Sequence, residues 1–210
     1  MSPASRVLLA SRNAKKLNEL RQVVADAGID GIEIVGLDEV APFEELPEDA
    51  PSFEGNALIK ARQGFREAGI PCLADDSGIC VDALNGMPGV LSARWSGRHG
   101  DDPANTALLL AQLGDVPDER RGAEFVSACA LVGGEGDAGE VTVRGTWRGV
   151  ILRAERGAGG FGYDPVFLPD GSDRTAAEME PGEKNAVSHR ARALAQLVEP
   201  LRALAARVPE

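Results

Sequence analysis

The order of patterns at the start of the chain is the feature that most constrains its fold. An apolar run at residues 7–10 is followed by the polar residues 11–13 and then by apolar side chains at helical spacing. Those side chains are Leu17, Leu20, Val24 and Ala27. Gly28 then ends the repeat, as glycine commonly does after a helix. The opening therefore predicts a strand, a short capping loop and a helix, which is the start of an α/β fold.

Strand and helix patterns continue to alternate along the chain. Short apolar runs predict strands at 32–35, 71–74, 79–81, 124–132 and 140–148. Helical spacing and start signals predict a helix from Ser52, another from Asp102 and a last helix over 183–206.

Two loops decide how these elements connect. The polar residues 75–78 predict a tight turn between two short strands, and the glycine-rich stretch 133–139 favours a hairpin in the middle of the chain. A hairpin among alternating strands and helices indicates a mixed rather than a purely parallel sheet. We therefore expect one α/β domain over residues 1–210, in two lobes without a clean sequence boundary between them.

Charge and hydropathy exclude several classes of protein. With 33 acidic and 22 basic residues the formal net charge is -11, so long nucleic acid should be repelled. The sequence contains no run of about 18 apolar residues, so it predicts no membrane-spanning helix. The apolar run near the N-terminus is too short for a signal peptide, so we expect a cytoplasmic protein that binds no membrane.

The cysteine and histidine content argues against structural metal and disulfide sites. Cys72, Cys80 and Cys129 are odd in number and form no C-x-x-C pair. Only two histidines are present, His99 and His189, which excludes a histidine-rich metal site. We expect the three thiols to be buried and inert.

Three patterns suggest chemistry that their context does not support. A dinucleotide site requires a strand before and a helix after the G-x-G-x-x-G motif, and the matches at 134–139 and 157–162 are not followed by a helix pattern. The second is followed at once by Tyr163, Asp164 and Pro165. The charged residues between 115 and 121 predict a solvated loop.

The capping loop and first turn of the first helix form a candidate anion site. Residues 11–16 place a hydroxyl, an amide and two lysines where backbone N–H groups of a helix end are unsatisfied. Lysine at that end opposes the helix dipole, and a bound polyphosphate would remove the conflict. The alternative is a simple N-cap with exposed lysines.

The adjacent carboxylates of Asp75 and Asp76 form a candidate cation site. Such groups repel each other unless a cation lies between them, and Mg²⁺ prefers oxygen ligands. The alternative is an acidic turn.

The helix from Ser52 adds Asn56 and Lys60, which are four residues apart and share a face. Upstream of that helix, an acidic loop contains several possible second ligands: Glu44, Glu45, Glu48 and Asp49.

Two later segments could surround a nucleobase. Glycines at 159, 160 and 162 flank Phe161 and precede Tyr163, so a ligand could approach the backbone and stack on an aromatic ring. Residues 183–190 offer Lys184, His189 and Arg190 as donors. The alternatives are a turn whose aromatics fill the core and a solvated helix turn.

Read together, six segments resemble the inosine triphosphate pyrophosphatase family, also described as non-canonical purine NTP pyrophosphatases or HAM1-like proteins. They occur in the family's order across about residues 7–200, at 11–16, 52–61, 74–78, 86–94, 160–165 and 188–190. Ser11 in place of the commoner threonine, Pro47 where a second acid is frequent, and Gly55 where an acid is frequent are departures.

The resemblance implies a fold, a reaction and a set of site residues. It implies an elongated α/β fold with a central mixed sheet flanked by helices, a cleft between two lobes, a homodimer, and Mg²⁺-dependent hydrolysis of ITP, dITP and XTP to the monophosphate and pyrophosphate. Asp76 is the expected proton acceptor and metal ligand, with Glu48, or alternatively Glu45, as second ligand. The implied substrate-binding residues are Ser11, Arg12, Asn13, Ala14, Lys15, Lys16, Lys60, Ser77, Phe161, Gly162, Tyr163, Asp164, Lys184, His189 and Arg190.

Two other functions stay open on the residues alone. A nucleotide-binding regulatory module would keep the anion and stacking segments but would not need the acid pair. A related pyrophosphatase acting on pyrimidine or modified nucleotides would differ only in its base contacts.

Overall fold

A computed structural model describes residues 5–133 and 139–206. It contains six strands, β1 to β6, and five helices, α1 to α5, among these residues. The strands are Ser5–Leu9, Ile32–Val35, Cys72–Val81, Gly122–Val132, Glu140–Ile151 and Phe167–Pro169. The helices are Ala14–Asp26, Phe53–Ala68, Asp102–Gln112, Pro181–Val187 and His189–Ala205.

The six strands form one mixed sheet in the order β2-β1-β3-β4-β5-β6. β1 runs parallel to β2 and to β3, whereas β5 and β6 are antiparallel. β4 and β5 are neighbours, and Gly133 N–H donates to the Gly139 carbonyl 2.9 Å away, as the expected hairpin requires. The predicted α/β class with a mixed sheet is therefore confirmed.

The chain divides into two compact units. Unit 1 takes the described parts of Met1–Asp76, Ala128–Arg144 and Arg192–Glu210, and unit 2 takes Ser77–Ser127 and Gly145–Ala191. β3, β4 and β5 each contribute residues to both units.

In unit 1, successive strand residues bury opposite faces of the sheet. Val7 and Leu9 of β1 pack with α1 and α5, whereas Leu8 joins Val35 and Cys72 against Phe65 and its neighbours on α2. This alternation follows from the two-residue period of a strand. Both faces are covered by helices, which explains why β1 reads as a continuous apolar run.

Unit 2 has its own core around the second half of the sheet. Ile79 and Val81 of β3 pack with Phe125 of β4, with Leu109 of α3 and with Leu113, which follows that helix; all of them are buried. The Phe167 ring contacts Phe125 and Trp147 edge-on at centroid distances of 4.7 and 5.5 Å. These edge-to-face contacts are a favoured aromatic geometry.

The predicted polar turn at 75–78 is wrong, because β3 is a single strand of ten residues. Asp75 and Asp76 lie inside this strand, where each carboxylate has a polar partner on a neighbouring helix. The two acids can therefore lie in a strand instead of a solvated turn. Gly78 serves close packing instead. A Cβ atom at Gly78 would lie 2.4 Å from Ser92 Oγ and 2.6 Å from the Gly89 carbonyl oxygen.

The predicted last helix over 183–206 is also wrong in one respect, since it is broken into α4 and α5. Ser188 has extended backbone angles, φ -67° and ψ 164°, and its Oγ accepts from Ala191 N–H at 3.3 Å. Serine is a favoured N-cap because its hydroxyl satisfies such an unpaired N–H. Lys184 and His189 therefore stand on different helices.

Arg121 shows that the charge run at 115–121 is not only a solvated loop. The residue is 2% exposed. Its guanidinium donates to the carbonyl oxygens of Ile151, Leu113 and Leu152 at 2.8, 2.5 and 2.9 Å. Burial lowers the pKa of this group. The side chain thus joins the end of β5 to the end of α3.

The cysteine expectation holds for two of three residues. Cys72 and Cys129 are buried, and Cys80 is only half-buried. Burial raises the pKa of the Cys72 thiol to about 12, which makes it a poor nucleophile.

Neither glycine match precedes a helix among the described residues. Residues 157–162 form an irregular loop that leads to a 3₁₀ turn, Asp164–Val166. Residues 134–138 of the other match lie outside the described residues. Within the part of the chain that the structure covers, no helix has the length and apolarity needed to cross a membrane.

Replacing Arg121 should destabilise the protein strongly. Arg121→Met removes three buried hydrogen bonds to carbonyl oxygens, although the Leu113 oxygen still accepts from Val116 N–H at 3.1 Å. We expect the free energy of unfolding to fall by about 3 kcal/mol. Urea denaturation of Arg121→Met and of the matched control Arg120→Met, whose side chain is exposed, measures the difference. Equal losses in both variants would contradict the structural role of Arg121.

Candidate active site

The candidate anion segment begins with a side-chain cap. Asn13 precedes α1 in extended conformation, and its Oδ1 accepts from Lys15 N–H at 3.0 Å. Ser11 Oγ accepts from Asn13 N–H at 3.2 Å. The expected cap is therefore confirmed, and the segment is ordered by its own side chains. Ala14 begins the helix, and Lys15 is exposed beside it.

Two basic side chains of this segment contact acids elsewhere in unit 1. Lys16 Nζ lies 2.7 Å from Asp75 Oδ2, with side-chain exposures of 20% and 7%. Arg12 Nε lies 2.5 Å from Glu45 Oε1, and both of these side chains are well exposed. Lys16 and Asp75 thus form a shielded ion pair, whereas Arg12 and Glu45 form a surface pair that solvent screens.

Asp76 has a different partner from Asp75. Its Oδ2 accepts from Asn56 Nδ2 at 2.9 Å. Adjacent strand residues point to opposite faces, so Asp75 meets Lys16 on the α1 face and Asp76 meets Asn56 on the α2 face. The two carboxylates therefore have separate protein partners on opposite faces of the sheet.

The acidic loop before α2 is docked on that helix. Lys60 Nζ lies 3.2 Å from Glu48 Oε1, and Asn56 Oδ1 accepts from Ala50 N–H at 2.9 Å. Asn56 and Lys60 therefore share a face, as their spacing predicted. Glu48 lies on the same helix face as the partner of Asp76, and Glu45 pairs with Arg12 instead.

Unit 1 contains a pocket beside the anion segment. Its volume is about 430 Å³. Polar and apolar groups mix in its wall, which consists of Ser11, Arg12, Asn13, Ala14, Leu17, Gly36, Leu37, Asp38, Pro42, Phe43 and Glu45. Four of the predicted site residues, 11–14, thus meet at one cavity.

Unit 2 contains a smaller cavity that gathers most of the other predicted residues. Its volume is about 130 Å³. Its wall consists of Ser77, Gly78, Ser92, Ala93, Asp102, Phe125, Phe161, Gly162, Tyr163, Asp164, His189 and Arg190. A cavity lined by aromatic rings and a few polar groups suits a planar heterocycle.

Asp164 organises the aromatic side of this cavity. It is 2% exposed, its Oδ2 accepts from Phe161 N–H at 2.8 Å, and it forms an ion pair with Lys184. The Lys184 ammonium lies 4.8 Å from the centroid of the Phe161 ring, a cation–π distance. Gly160, at φ +75°, has no room for a side chain, since a Cβ atom would lie 2.1 Å from Asp164 Oδ2.

The two aromatic residues of the loop have different roles. Phe161 is 58% exposed and can offer a ring face to a ligand. Tyr163 is 4% exposed, belongs to the unit 2 core, and donates its hydroxyl to the Ser92 carbonyl at 2.8 Å. Burial, with the nearby Asp102 carboxylate, raises the pKa of that hydroxyl. The exposed ring and the core-filling ring of this loop thus belong to different residues.

The remaining predicted residues border the same cavity. His189 is 7% exposed and stacks on Phe125 with ring centroids 4.9 Å apart and 13° between the planes. Arg190 and Ser77 are half-buried at its wall. Lys184 reaches the cavity through its contacts with Phe161 and Asp164.

Three residues of the candidate site were not among the predicted site residues. Asp102 Oδ2 accepts from Gly162 N–H at 2.7 Å, and the Ser92 backbone holds Tyr163. Asn56, at 1% exposed, holds Asp76. In the sequence, Asp102 has only the signal of a helix start, and Asn56 has only its four-residue spacing from Lys60.

The donor set decides which metal could bind. Among the described residues, no group of three or more His, Cys, Asp or Glu is placed to hold an ion. A site of one or two carboxylates fits Mg²⁺, which usually keeps waters and takes substrate phosphates as its other ligands. Asp76 and Glu48 could supply these carboxylates. Asp76 contacts Asn56 of α2, and Glu48 contacts Lys60 of the same helix.

Comparisons with known proteins agree along the whole chain. The model of the Ham1 family matches residues 7–200. A protein of Nocardia farcinica named dITP/XTP pyrophosphatase is 65% identical over 203 residues, which are 97% of this chain and 98% of that protein.

Solved structures give the same family. The crystal structure of a nucleoside-triphosphatase / dITP/XTP pyrophosphatase from Mycobacterium abscessus has 64% identity and a TM-score of 0.80, over 91% of this chain and 97% of that one. A HAM1 protein from Coxiella burnetii has 40% identity and a TM-score of 0.84, over 95% of this chain and 99% of that one. The family resemblance read from the six segments is confirmed, and the chain belongs to the Ham1 family.

Proposed function

We propose that this protein is a nucleoside triphosphate pyrophosphatase that hydrolyses the non-canonical purine nucleotides dITP, XTP and ITP to the monophosphate and pyrophosphate. Such an activity removes deaminated purines from the nucleotide pool. Relatives that are 63–65% identical across almost the whole chain are named for dITP/XTP pyrophosphatase activity, which supports this substrate class.

One arrangement of side chains carries the proposal. Unit 1 contains two lysine–carboxylate pairs, Lys16 with Asp75 and Lys60 with Glu48, and holds the Asp76 carboxylate on a buried amide. A lysine that pairs with a carboxylate in this way can pair instead with a phosphate oxygen when the substrate binds. A purely structural role would not require so many charges to be withdrawn from solvent.

The reaction also needs a divalent cation, and we assign Mg²⁺ to Asp76 and Glu48. The pairing of Glu48 with Lys60, on the helix face that carries Asn56, supports Glu48 over Glu45 as the second ligand. When bound, the ion supplies positive charge to the phosphate oxygens and to the water near them.

The chain's own residues then divide the chemical work. Asp76 orients the attacking water toward the α-phosphorus and accepts its proton. Lys15, Lys16 and Lys60 stabilise the negative charge that accumulates on the leaving pyrophosphate. Ser11 and the N-terminus of α1 hold the phosphate chain with hydroxyl and backbone N–H groups.

Base selection belongs to the cavity of unit 2. Phe161 stacks on the purine, and Lys184 adds its charge beside the ring. His189 and Arg190 donate to a 6-oxo group, and an adenine 6-amino group leaves those donors unpaired. A buried unpaired donor costs about 1–3 kcal/mol, which favours oxo purines.

A substrate panel tests the proposal. We expect strong pyrophosphate release from dITP, XTP and ITP, much weaker release from ATP and GTP, and no release from any of them with EDTA. Release from all five would keep the reaction and remove the account of base selection. Nucleotide binding without any release would instead identify a regulatory module. Pyrimidine triphosphates are assayed beside these five, and release from them alone would identify a related pyrophosphatase.

A matched pair of variants ties this release to the candidate site. Asp76→Asn keeps an oxygen to accept from Asn56 but removes the carboxylate, and kcat should fall on the order of 10²–10⁴-fold. Asp115→Asn changes an exposed acid and serves as the control with unchanged kcat. Full activity in Asp76→Asn would remove Asp76 from the mechanism.

The stacking role of Phe161 gives a separate prediction. Phe161→Ala should raise KM for dITP by roughly 5- to 150-fold, because stacking of one base contributes about 1–3 kcal/mol. Its ring is 58% exposed, so the unfolding midpoint should hardly change. Val187→Ala, which trims a side chain that is 39% exposed, is the control. An unchanged KM in Phe161→Ala would contradict the stacking role.

The family resemblance also supports an assembly and a location. The protein acts as a homodimer in the cytoplasm, where the nucleotide pool is found. Light scattering of the purified protein should give the mass of two chains. A mass of one chain at working concentration would contradict the dimer.

A further inference from the structure

Three side chains of α2 hold the acidic loop along one face of the helix. Asn56, Lys60 and Gln63 follow the i, i+4, i+7 spacing of a single helix face. Gln63 Oε1 accepts from Leu46 N–H at 2.9 Å, and its Nε2 donates to the Glu44 carbonyl at 2.5 Å. The acidic segment 44–50 is thus held on the helix at several points.

The loop also approaches the first turn of α2 closely. Ser52 caps the helix by accepting from Gly55 N–H at 3.1 Å. A Cβ atom at Gly55 would lie 2.6 Å from Ala50 Cβ. The backbone at Ala50 is therefore packed against the helix at the point where Asn56 holds it.

Asn56 differs from the other two anchors because its second end meets Asp76. The backbone N–H of Ala50 can only donate, so the atom of Asn56 that faces it is the oxygen, Oδ1. The other end is then the NH₂ group, which donates to Asp76 Oδ2 at 2.9 Å. The side chain is 1% exposed, so water does not compete for either bond.

We propose that Asn56 is a positioning residue, which orients the Asp76 carboxylate and fixes its distance from the loop that carries Glu48. The inference rests on the proposed function, since it assigns the supporting group of the same site. One buried amide sets both the rotamer of Asp76 and the position of Ala50, two residues from Glu48, and Lys60 sets the Glu48 side chain from the next turn. The two carboxylates are thereby placed relative to each other before any substrate arrives.

Gln63 provides a matched control for this role. Asn56→Asp and Gln63→Glu each convert a buried amide on the same helix face into a carboxylate of the same shape. Each keeps the oxygen that accepts from the loop backbone, at Ala50 or at Leu46, and each loses one NH₂ donor. Only in Asn56→Asp is the lost donor the one that holds Asp76.

The experiment measures kcat and KM for dITP at saturating Mg²⁺ in the full chain. We expect Asn56→Asp to lower kcat by about 10- to 100-fold, as supporting residues of such sites commonly do. KM should stay within about threefold, because the phosphate and base contacts remain. Gln63→Glu should lose thermal stability to a similar extent and keep kcat within about threefold of the wild type. Equal kcat losses in the two variants, or none in Asn56→Asp, would overturn the proposal.

Amide hydrogen exchange at Ala50 gives a readout that does not depend on activity. Asn56→Asp should keep this amide protected, whereas Asn56→Ala, which removes both hydrogen bonds, should expose it. Asn56→Ala also adds no charge, so it replaces Asn56→Asp if that variant does not fold. It should show the same loss of kcat, and a kcat at the level of Gln63→Ala would contradict the role. If the wild-type protein released no pyrophosphate, the proposed function would be refuted. Exchange at Ala50 would still show whether Asn56 holds the acidic loop.

Discussion

The continuity of β3 through Asp75 and Asp76 is the constraint on which the acidic part of the site depends. Because strand residues alternate between the faces of a sheet, two neighbouring carboxylates can have separate partners. Asp75 meets Lys16 of α1, and Asp76 meets Asn56 of α2. The strand thus gives each carboxylate a different partner on a different face of the sheet.

α2 acts as the template for the remaining charges of unit 1. The acidic loop lies beside this helix, and the buried amides of Asn56 and Gln63 fix it there by binding the loop backbone. Hydrogen bonds to backbone groups specify position more closely than ion pairs do, because they are short and directional. The Lys60–Glu48 pair, which is partly exposed, adds charge to a geometry that the amides have already set.

In unit 2, a buried carboxylate fixes the position of its neighbours by hydrogen bonding to the backbone, as the buried amides do in unit 1. Asp164 accepts from the Phe161 backbone and pairs with Lys184, so one carboxylate places both the ring and the cation beside it. The glycines of the loop permit this close approach, above all Gly160. Exposed Phe161 is therefore held by buried groups, which leaves its ring available for a ligand while its position is fixed.

The sequence by itself determined the local elements whose signals are local. The cap at Asn13, the strand Ile32–Val35, the helix start at Ser52 and the shared face of Asn56 and Lys60 follow from neighbours a few residues away. The order of six short segments also identified the family. Only the tertiary structure decided that residues 75–78 lie in a strand, that Ser188 breaks the last helix, that Arg121 is buried, and which of Phe161 and Tyr163 faces solvent. Three of these depend on a partner distant in sequence, such as Lys16 for Asp75, Ile151 for Arg121 or Ser92 for Tyr163, and local pattern contains no information about such partners. The break at Ser188 has a local cap, the bond from Ala191 N–H, which the helical spacing of the surrounding residues concealed.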